Sequence, residues 1–200
     1  MMPCARTPAP DWLKKHQEEM TSKYLKKRQG GKSFHWPQRE GKKIYDIVRN
    51  ALREMTDGHC SYCDACPVTA TGKEKIDHFR PKSRLEFYHL AYAWDNLFYT
   101  CSACNGAKKE KWDERLLKPD DPDYDFERYF LYQSDSGKLE ANPGAANDEK
   151  ERAELTIAIF NLNRDGSCEM RKREERRLRG LKEDDLSDAA YRFLIPFVRS

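Results

Sequence analysis

The sequence contains no long apolar run, no internal repeat and no long low-complexity tract. Its first residues also lack the basic stretch followed by an apolar stretch that marks a secretory signal. Since a membrane-spanning helix needs about 20 apolar residues in a row, the sequence predicts no such helix, and we expect a cytoplasmic protein. At 200 residues, the chain is long enough to bury a core of its own.

The sequence also lacks a large excess of charge of either sign. Lysine and arginine number 37 against 34 aspartates and glutamates, which leaves a formal net charge of only +3. Hydrophobic residues make up 38% of the chain and charged residues 36%, so we expect a globular protein with a large polar surface. So mild an excess of positive charge predicts that any affinity for nucleic acid comes from local patches and not from the overall balance.

Cysteine is present in a pattern that indicates metal binding. Two Cys-x-x-Cys pairs, Cys60/Cys63 and Cys101/Cys104, can supply the four thiolates of a tetrahedral, structural Zn²⁺ site. The alternatives are an iron–sulfur centre or two redox-active dithiols. The sequence has neither the clustered cysteines of ferredoxins nor the βαβ pattern of thioredoxins, so it favours zinc.

Three further cysteines have no assigned role. Cys66 follows Cys63 at the same spacing that separates Cys60 from Cys63, so it could replace Cys63 in the tetrahedron. We expect instead that Cys66 is not a ligand. Cys4 and Cys168 lie far from both pairs in the sequence.

An Asp-His pair lies between the two cysteine pairs. Asp77 and His78 are flanked by Ile76 and Phe79 and followed by Pro81, which predicts a short strand that ends near a turn. A carboxylate is suited to a hard cation such as Mg²⁺, and a neutral imidazole can accept a proton from water near neutral pH. Isolated Asp-His pairs are common without function, so the pair alone predicts little.

The residues that follow make the pair more specific. Asn96-Leu97 precedes the second cysteine pair, Asn105 follows it directly, and Lys108 comes three residues later. This order resembles the HNH endonuclease family, whose core is a ββα-metal finger. The resemblance implies that His78 is the general base, that Asp77 and Asn105 hold a catalytic Mg²⁺ or Mn²⁺, and that Asn96 braces the loop between the strands. Asp77 stands where many members of the family have histidine.

The resemblance extends to HNH nucleases of PtuB type from the Septu and retron antiphage systems. The shared stretches are Ile76–Lys82, Trp94–Leu97, Leu116–Pro119, Thr156-Ile157 and Asn161–Asn163. This similarity implies a bacterial effector subunit that works with a PtuA-type ATPase. It also implies hydrolysis of nucleic acid, DNA by expectation and RNA as the alternative, to leave a 5′ phosphate and a 3′ hydroxyl.

Basic residues surround the proposed catalytic group. Arg80, Lys82 and Arg84 follow His78, and Lys108 and Lys109 follow Asn105. Because Lys and Arg commonly contact phosphate oxygens, with Arg able to do so in bidentate fashion, these five residues are predicted to bind the nucleic-acid backbone.

We predict an α+β fold that is mostly helical, with the ββα-metal core, its zinc-binding cysteine pairs and helical flanks. The chain divides by pattern into an N-terminal helical arm (1–56), the finger (57–119) and a C-terminal helical region available for partner docking (120–200). Apolar periodicity predicts helices over 11–28, 42–55 and 153–162. The charged stretch 171–179 is expected to be a solvated helix, 187–198 a last helix, and the aromatic loop 34–37 a packing element.

A second function class fits the same sequence. A zinc-ordered adaptor or nucleic-acid-binding subunit would need the four cysteines but no catalysis of its own. The joint presence of Asp77, His78 and Asn105 argues against this alternative, because binding alone requires none of them.

Overall fold

The computed structural model describes residues 1–39 and 41–199, and it describes the backbone alone at positions 39, 42, 71 and 183–185. Within these residues, seven α-helices and six short strands form the regular structure. The helices are α1 (Asp11–Gln29), α2 (Ile44–Met55), α3 (Ser102–Lys108), α4 (Phe126–Tyr129), α5 (Asn147–Phe160), α6 (Asp165–Arg179) and α7 (Ile195–Arg199). The strands are β1 (Gln38–Arg39), β2 (Lys42–Lys43), β3 (Glu74–His78), β4 (Leu97–Cys101), β5 (Phe130–Gln133) and β6 (Lys138–Ala141). The predicted α+β, mostly helical class is confirmed.

The first two helices agree with the apolar periodicity. Helix α1 buries Leu13, Met20 and Tyr24, and α2 buries one apolar residue per turn. Helix α2 begins at Ile44 and not at Lys42, because residues 42 and 43 pair with 38 and 39 as a small hairpin. It ends at Met55, and just beyond it Asp57 and Gly58, with φ angles of 51° and 75°, reverse the chain toward the first cysteine pair.

The centre of the structure is a ββα unit. Strands β3 and β4 pair antiparallel, with Asp77 opposite Phe98 and His78 opposite Leu97, and α3 follows β4 without a loop. Strand β4 is buried at all five positions, as a strand covered on both faces should be. The short strand predicted at Asp77-His78 is confirmed, and α3 is the helix that the resemblance to a ββα-metal finger implies.

The N-terminal residues have no regular structure, but they are held against the finger. Arg6 donates to the carbonyls of Trp94 and Leu97 at 3.0 and 2.9 Å and pairs with Asp120 at 2.9 Å. Met1 is fully buried, and its carbonyl accepts from the Tyr124 hydroxyl at 2.6 Å. The residues before α1 thus form a strap that lies along the ββα unit.

The charged helix α6 differs from the solvated helix that its sequence predicts. Arg171 is fully buried and donates to the carbonyls of Gly137 and Leu162 at 3.1 and 2.7 Å. Glu174 and Glu175 are also buried, and Glu175 accepts from the Tyr132 hydroxyl at 2.9 Å. Charge counting failed here because the β5–β6 hairpin and the C-terminal segment supply hydrogen-bond partners that the local sequence does not reveal.

The predicted last helix over 187–198 is wrong in its extent. The chain instead forms short 3₁₀ turns at Glu183–Asp188 and Arg192–Leu194, and α7 covers only Ile195–Arg199. Pro196 explains the late start, because proline lacks the N–H of a helix interior and is tolerated only in a first turn. None of the described helices has the apolar length that a bilayer crossing requires.

Replacement of Arg171 by alanine is expected to lower the free energy of unfolding by about 3 kcal/mol, because the two carbonyls would remain buried without a donor. Denaturant unfolding of the zinc-loaded protein measures the effect. Arg173→Ala, which removes an exposed arginine from the same helix, should change stability little. Equal effects of the two substitutions would contradict the structural role of Arg171.

Candidate metal centres and active site

The two cysteine pairs meet in one cluster. Cys60, Cys63, Cys101 and Cys104 are all buried, and their sulfur atoms lie within 4.8 Å of one another. The backbone N–H of Cys101 donates to the sulfur of Cys60, and that of Cys104 to the sulfur of Cys101, both at 3.4 Å. Four buried thiols at this separation, with backbone donors turned toward them, fit a tetrahedral structural Zn²⁺.

An arginine from the C-terminal region completes this centre. The guanidinium of Arg164 lies 3.6 Å from the sulfur of Cys104, 3.8 Å from that of Cys63 and 3.9 Å from that of Cys101. Four thiolates around Zn²⁺ carry a net charge of −2, so a guanidinium at this distance offsets part of the charge. No pattern in the sequence indicates Arg164, which is 60 residues from its nearest cysteine partner.

The remaining cysteines lie outside the cluster. The sulfur of Cys66 is 4.0 Å from the carbonyl of Asp57. Cys63, and not Cys66, belongs to the cluster, which agrees with our prediction. Burial raises the pKa of the Cys4 thiol to about 11, which makes it a poor ligand and nucleophile. The sulfur of Cys168 donates to the carbonyl of Asn163 at 3.5 Å.

Asp77 lies directly beneath α3 and is 4% exposed. Its carboxylate accepts from the Tyr62 hydroxyl at 2.7 Å and from the Asn105 amide at 3.3 Å. It also pairs with the ammonium of Lys108 at 3.1 Å. The side-chain nitrogen of Asn105 makes the contact with Asp77. This leaves the amide oxygen of Asn105 as a second oxygen ligand beside the carboxylate. Such a donor set fits a hard divalent cation.

His78 is held in one orientation. Its Nε2 lies 2.9 Å from the carbonyl of Ala91, and because a carbonyl only accepts, Nε2 carries the proton. Among the described residues Nδ1 has no hydrogen-bond partner, so it is the basic nitrogen of the ring. Burial, and next the positive charge of Lys82, lower the pKa of His78 well below 6.5, which keeps the imidazole neutral at pH 7.

Aromatic rings cover His78. The ring centroids of Phe34 and Trp36 lie 5.2 and 6.2 Å from that of the imidazole, and His78 is 5% exposed. The loop over 34–37 therefore packs as predicted, and it packs on the candidate general base.

Asn96 joins the two ends of the loop that follows β3. Its amide oxygen accepts from the backbone N–H of Arg80 at 2.8 Å. Its amide nitrogen donates to the carbonyls of Arg80 and Leu90, both at 3.1 Å. Since Ala91 follows Leu90, these bonds also place the carbonyl that orients His78.

Lys108 is not where the sequence predicted it. The side chain is fully buried, and its ammonium donates to the carbonyl of His78 at 2.7 Å while it pairs with Asp77. It therefore lies inside the site and does not face a nucleic-acid backbone. Helical spacing is the reason, because Lys108 is three residues after Asn105 and so shares the face of α3 that covers β3.

The other predicted phosphate contacts are distributed around the site. Arg80 is exposed over the rings of Phe87 and Trp112, and Lys109 is exposed. Arg84 donates to the carbonyl of Glu110 at 3.0 Å. Lys82 is partly buried, and its ammonium lies 5.2 Å from the ring centroid of Phe34.

Sequence reasoning missed Tyr62. Its hydroxyl bonds Asp77, and its ring stacks on that of Phe160 with centroids 3.8 Å apart. Its position between Cys60 and Cys63 was the available signal, because the first cysteine pair must lie close to β4 for the zinc site to close.

Substitution of a cluster cysteine is expected to release zinc and unfold the finger. Cys101→Ser should abolish stoichiometric zinc and leave little folded protein, because the binding energy of a structural zinc is also folding energy. Metal analysis and circular dichroism of the purified chain measure both effects. Cys66→Ser is the matched control and should retain zinc and fold; loss of zinc in this variant instead would contradict the ligand assignment.

Comparison with known proteins agrees with this geometry. A family model described as HNH endonuclease matches residues 60–111. Septu protein PtuB of Bacillus mycoides is 33% identical over 78 residues, which cover 34% of this chain and 26% of that protein. Septu protein PtuB of Bacillus thuringiensis is 31% identical over 109 residues, which cover 54% of this chain and 37% of that protein.

The matched part of the chain thus spans between a quarter and two fifths of the length of these two relatives. The match to the family model runs from the first cluster cysteine to just beyond α3, so it includes the thiol cluster, Asp77, His78 and Asn105. Residues 60–111 therefore match the HNH endonuclease family, in a chain that is similar to the PtuB proteins of Septu systems.

Proposed function

We propose that this chain is a metal-dependent HNH endonuclease that hydrolyses phosphodiester bonds. The observation that carries the proposal is that Asp77, His78 and Asn105 lie on one ββα unit, with the Asn105 amide 3.3 Å from the Asp77 carboxylate. Their placement depends on the thiol cluster, because Asn105 follows the ligand Cys104 directly. A protein that only bound nucleic acid would need none of these three groups.

In this proposal His78 is the general base. The Nε2–H bond to Ala91 orients the ring, and Nδ1 takes a proton from the attacking water. A ring that is neutral at pH 7 can perform this step without first losing a proton. Asn96 is a positioning residue, because it holds both the turn after His78 and the segment that contains the Ala91 carbonyl.

Asp77 and the amide oxygen of Asn105 are the proposed ligands of a divalent cation, Mg²⁺ or Mn²⁺. When bound, the cation would supply Lewis-acid stabilisation of the charge that develops on the phosphate and the departing 3′ oxygen. Lys108 already neutralises Asp77, so the carboxylate must be shared between the ammonium and the cation, or Lys108 must move.

We further propose that the substrate is DNA and that the chain acts as the effector of a Septu-type antiphage complex with a PtuA-type ATPase. The similarity to PtuB proteins supports this assignment. The burial of the site supports control by a partner: Asp77 and His78 are 4% and 5% exposed, so a phosphate reaches them only after covering side chains such as Phe34 move. The net charge of +3 is also low for a nuclease that finds DNA alone.

Substitution of His78 tests catalysis. His78→Ala should reduce cleavage of plasmid DNA by about 10²–10⁴-fold, with zinc content and fold retained, in assays of the complex with its ATPase in the presence of Mg²⁺. His89→Ala, which removes an exposed histidine from the segment between β3 and β4, should cut normally. A His78→Ala protein that cuts as fast as wild type would refute the assignment, and a wild-type complex that binds DNA without cutting it would favour the adaptor.

Substitution of Lys108 tests the cation site. Lys108→Met should destabilise the zinc-loaded protein by about 3 kcal/mol in Mg²⁺-free buffer, because Asp77 remains buried without its ion-pair partner. Added Mg²⁺ should then raise the melting temperature of Lys108→Met more than that of wild type, since the cation replaces the lost charge.

Lys109→Met is the matched control for this measurement, because Lys109 is exposed and adjacent. Thermal unfolding with and without Mg²⁺, at constant zinc, distinguishes the cases. The same Mg²⁺-induced shift in all three proteins would remove Asp77 as a ligand.

A further inference from the structure

A groove with a volume of about 530 Å³ lies between α1 and the loop that follows it. Its size falls within the range of about 300–1,000 Å³ that is typical of small-ligand sites. It does not include Asp77, His78 or Asn105, and nothing above assigns it a role. The residues that determine its chemistry are three lysines and three aromatic residues: Lys23, Lys27, Lys32, Tyr24, Trp36 and Tyr92.

The groove is positively charged. Lys27 and Lys32 are exposed, and among the described residues neither has an acidic partner within ion-pair distance. Lys23 pairs with Glu19 at 2.5 Å, and none of the described residues that line the groove is acidic. Two uncompensated ammonium groups at a concave surface favour an anion, and phosphate is the anion that lysines most often contact in nucleic-acid complexes.

Trp36 supplies a rigid aromatic surface. It is only partly buried. The rings of Tyr92 and Tyr45 meet it edge-on, with centroids 5.6 and 6.1 Å from that of the indole. These contacts hold the indole in place, as a stacking platform requires. Gly31, with a φ of 75°, turns the chain at the end of α1 and so brings the segment with Lys32 and Trp36 back across the helix.

The groove is next to the candidate active site. The same indole lies 6.2 Å from the imidazole of His78, centroid to centroid. Trp36 therefore separates the groove from the general base by one aromatic ring. A strand whose scissile phosphate lay at His78 would pass Trp36 with a neighbouring nucleotide.

We propose that this groove binds a nucleotide adjacent to the scissile phosphate, with its phosphate on Lys27 and Lys32 and its base on Trp36. The inference rests on the proposed nuclease function and specifies its substrate, since a base that stacks on an indole must be unpaired. The substrate at this position is then single-stranded or has a flared end.

Binding measurements with the full zinc-loaded chain test the proposal. The probes are a fluorescent oligothymidylate and an abasic strand of the same length, in Mg²⁺-free buffer so that neither is cut. The Lys27→Ala/Lys32→Ala variant should bind both strands more weakly and lower the slope of log affinity against log salt by about 1.4, or about 0.7 per lost phosphate contact. Lys14→Ala/Lys15→Ala removes two exposed lysines of α1 outside the groove and should match wild type.

Trp36→Leu separates stacking from a structural effect. It should weaken binding of oligothymidylate by roughly fivefold or more, and leave binding of the abasic strand unchanged. Three results would overturn the proposal. Trp36→Leu could weaken binding of both strands equally, or the two double-lysine variants could show equal salt slopes. Polyglutamate could also displace the oligonucleotide as readily as unlabelled strand does. The last result would indicate an acidic protein segment as the occupant.

The two proposals fail in different ways. If wild type cuts in its ATPase complex and the Lys27/Lys32 variant behaves as the Lys14/Lys15 control, the groove assignment is wrong and the nuclease assignment stands. If binding depends on Lys27, Lys32 and Trp36 but neither the chain nor its complex cuts any strand in Mg²⁺, the nuclease assignment is wrong and the groove assignment stands.

Discussion

The convergence of four thiols is the constraint on which the rest of this structure depends. It joins two segments 38 residues apart along the chain, from Cys63 to Cys101, and brings their sulfur atoms within 4.8 Å of one another. Because β4 ends at Cys101 and α3 begins at the next residue, closure of the cluster also sets where α3 lies on β3. Asn105 and Lys108 then reach Asp77 as a geometric consequence. A zinc ion bound by these thiols would make assembly of the candidate active site depend on the metal.

The second organising feature is a buried charge. Asp77 is almost fully buried, and an unpaired carboxylate would be costly in such a position. Its negative charge is compensated by contacts with a hydroxyl, an amide and an ammonium group. The low dielectric that makes these contacts strong would also strengthen the pull of the carboxylate on a cation. Both flanks contribute to this enclosure. The N-terminal region places two aromatic rings over His78, and the C-terminal region places Arg164 against the thiols.

The C-terminal region is tied to the first cysteine pair at further points. Asp64, one residue beyond Cys63, is fully buried and accepts from the backbone N–H and the guanidinium of Arg192, both at 2.6 Å. The backbone N–H of Cys66 donates to the carbonyl of Ala190 at 2.9 Å. A partner that docked on this region would therefore act directly on the residues around the zinc site. This arrangement offers a physical route by which a partner could influence the finger without contact with Asp77 or His78.

Local patterns in the sequence were sufficient for the parts of the structure that depend on spacing. The cysteine spacing predicted the cysteine cluster, the apolar periodicity predicted α1 and α2, and the resemblance of the order of Asp77, His78, Asn96 and Asn105 to the HNH family implied the ββα unit. Tertiary structure alone decided which charged side chains are buried. Four charged residues resemble surface residues in the sequence: Lys108, Arg164, Arg171 and Glu175. Each has a hydrogen-bond partner between 30 and 101 residues away. The reason is physical: a ligand set or a helix face is written in nearby residues, whereas compensation of a buried charge depends on groups that only the folded chain brings together.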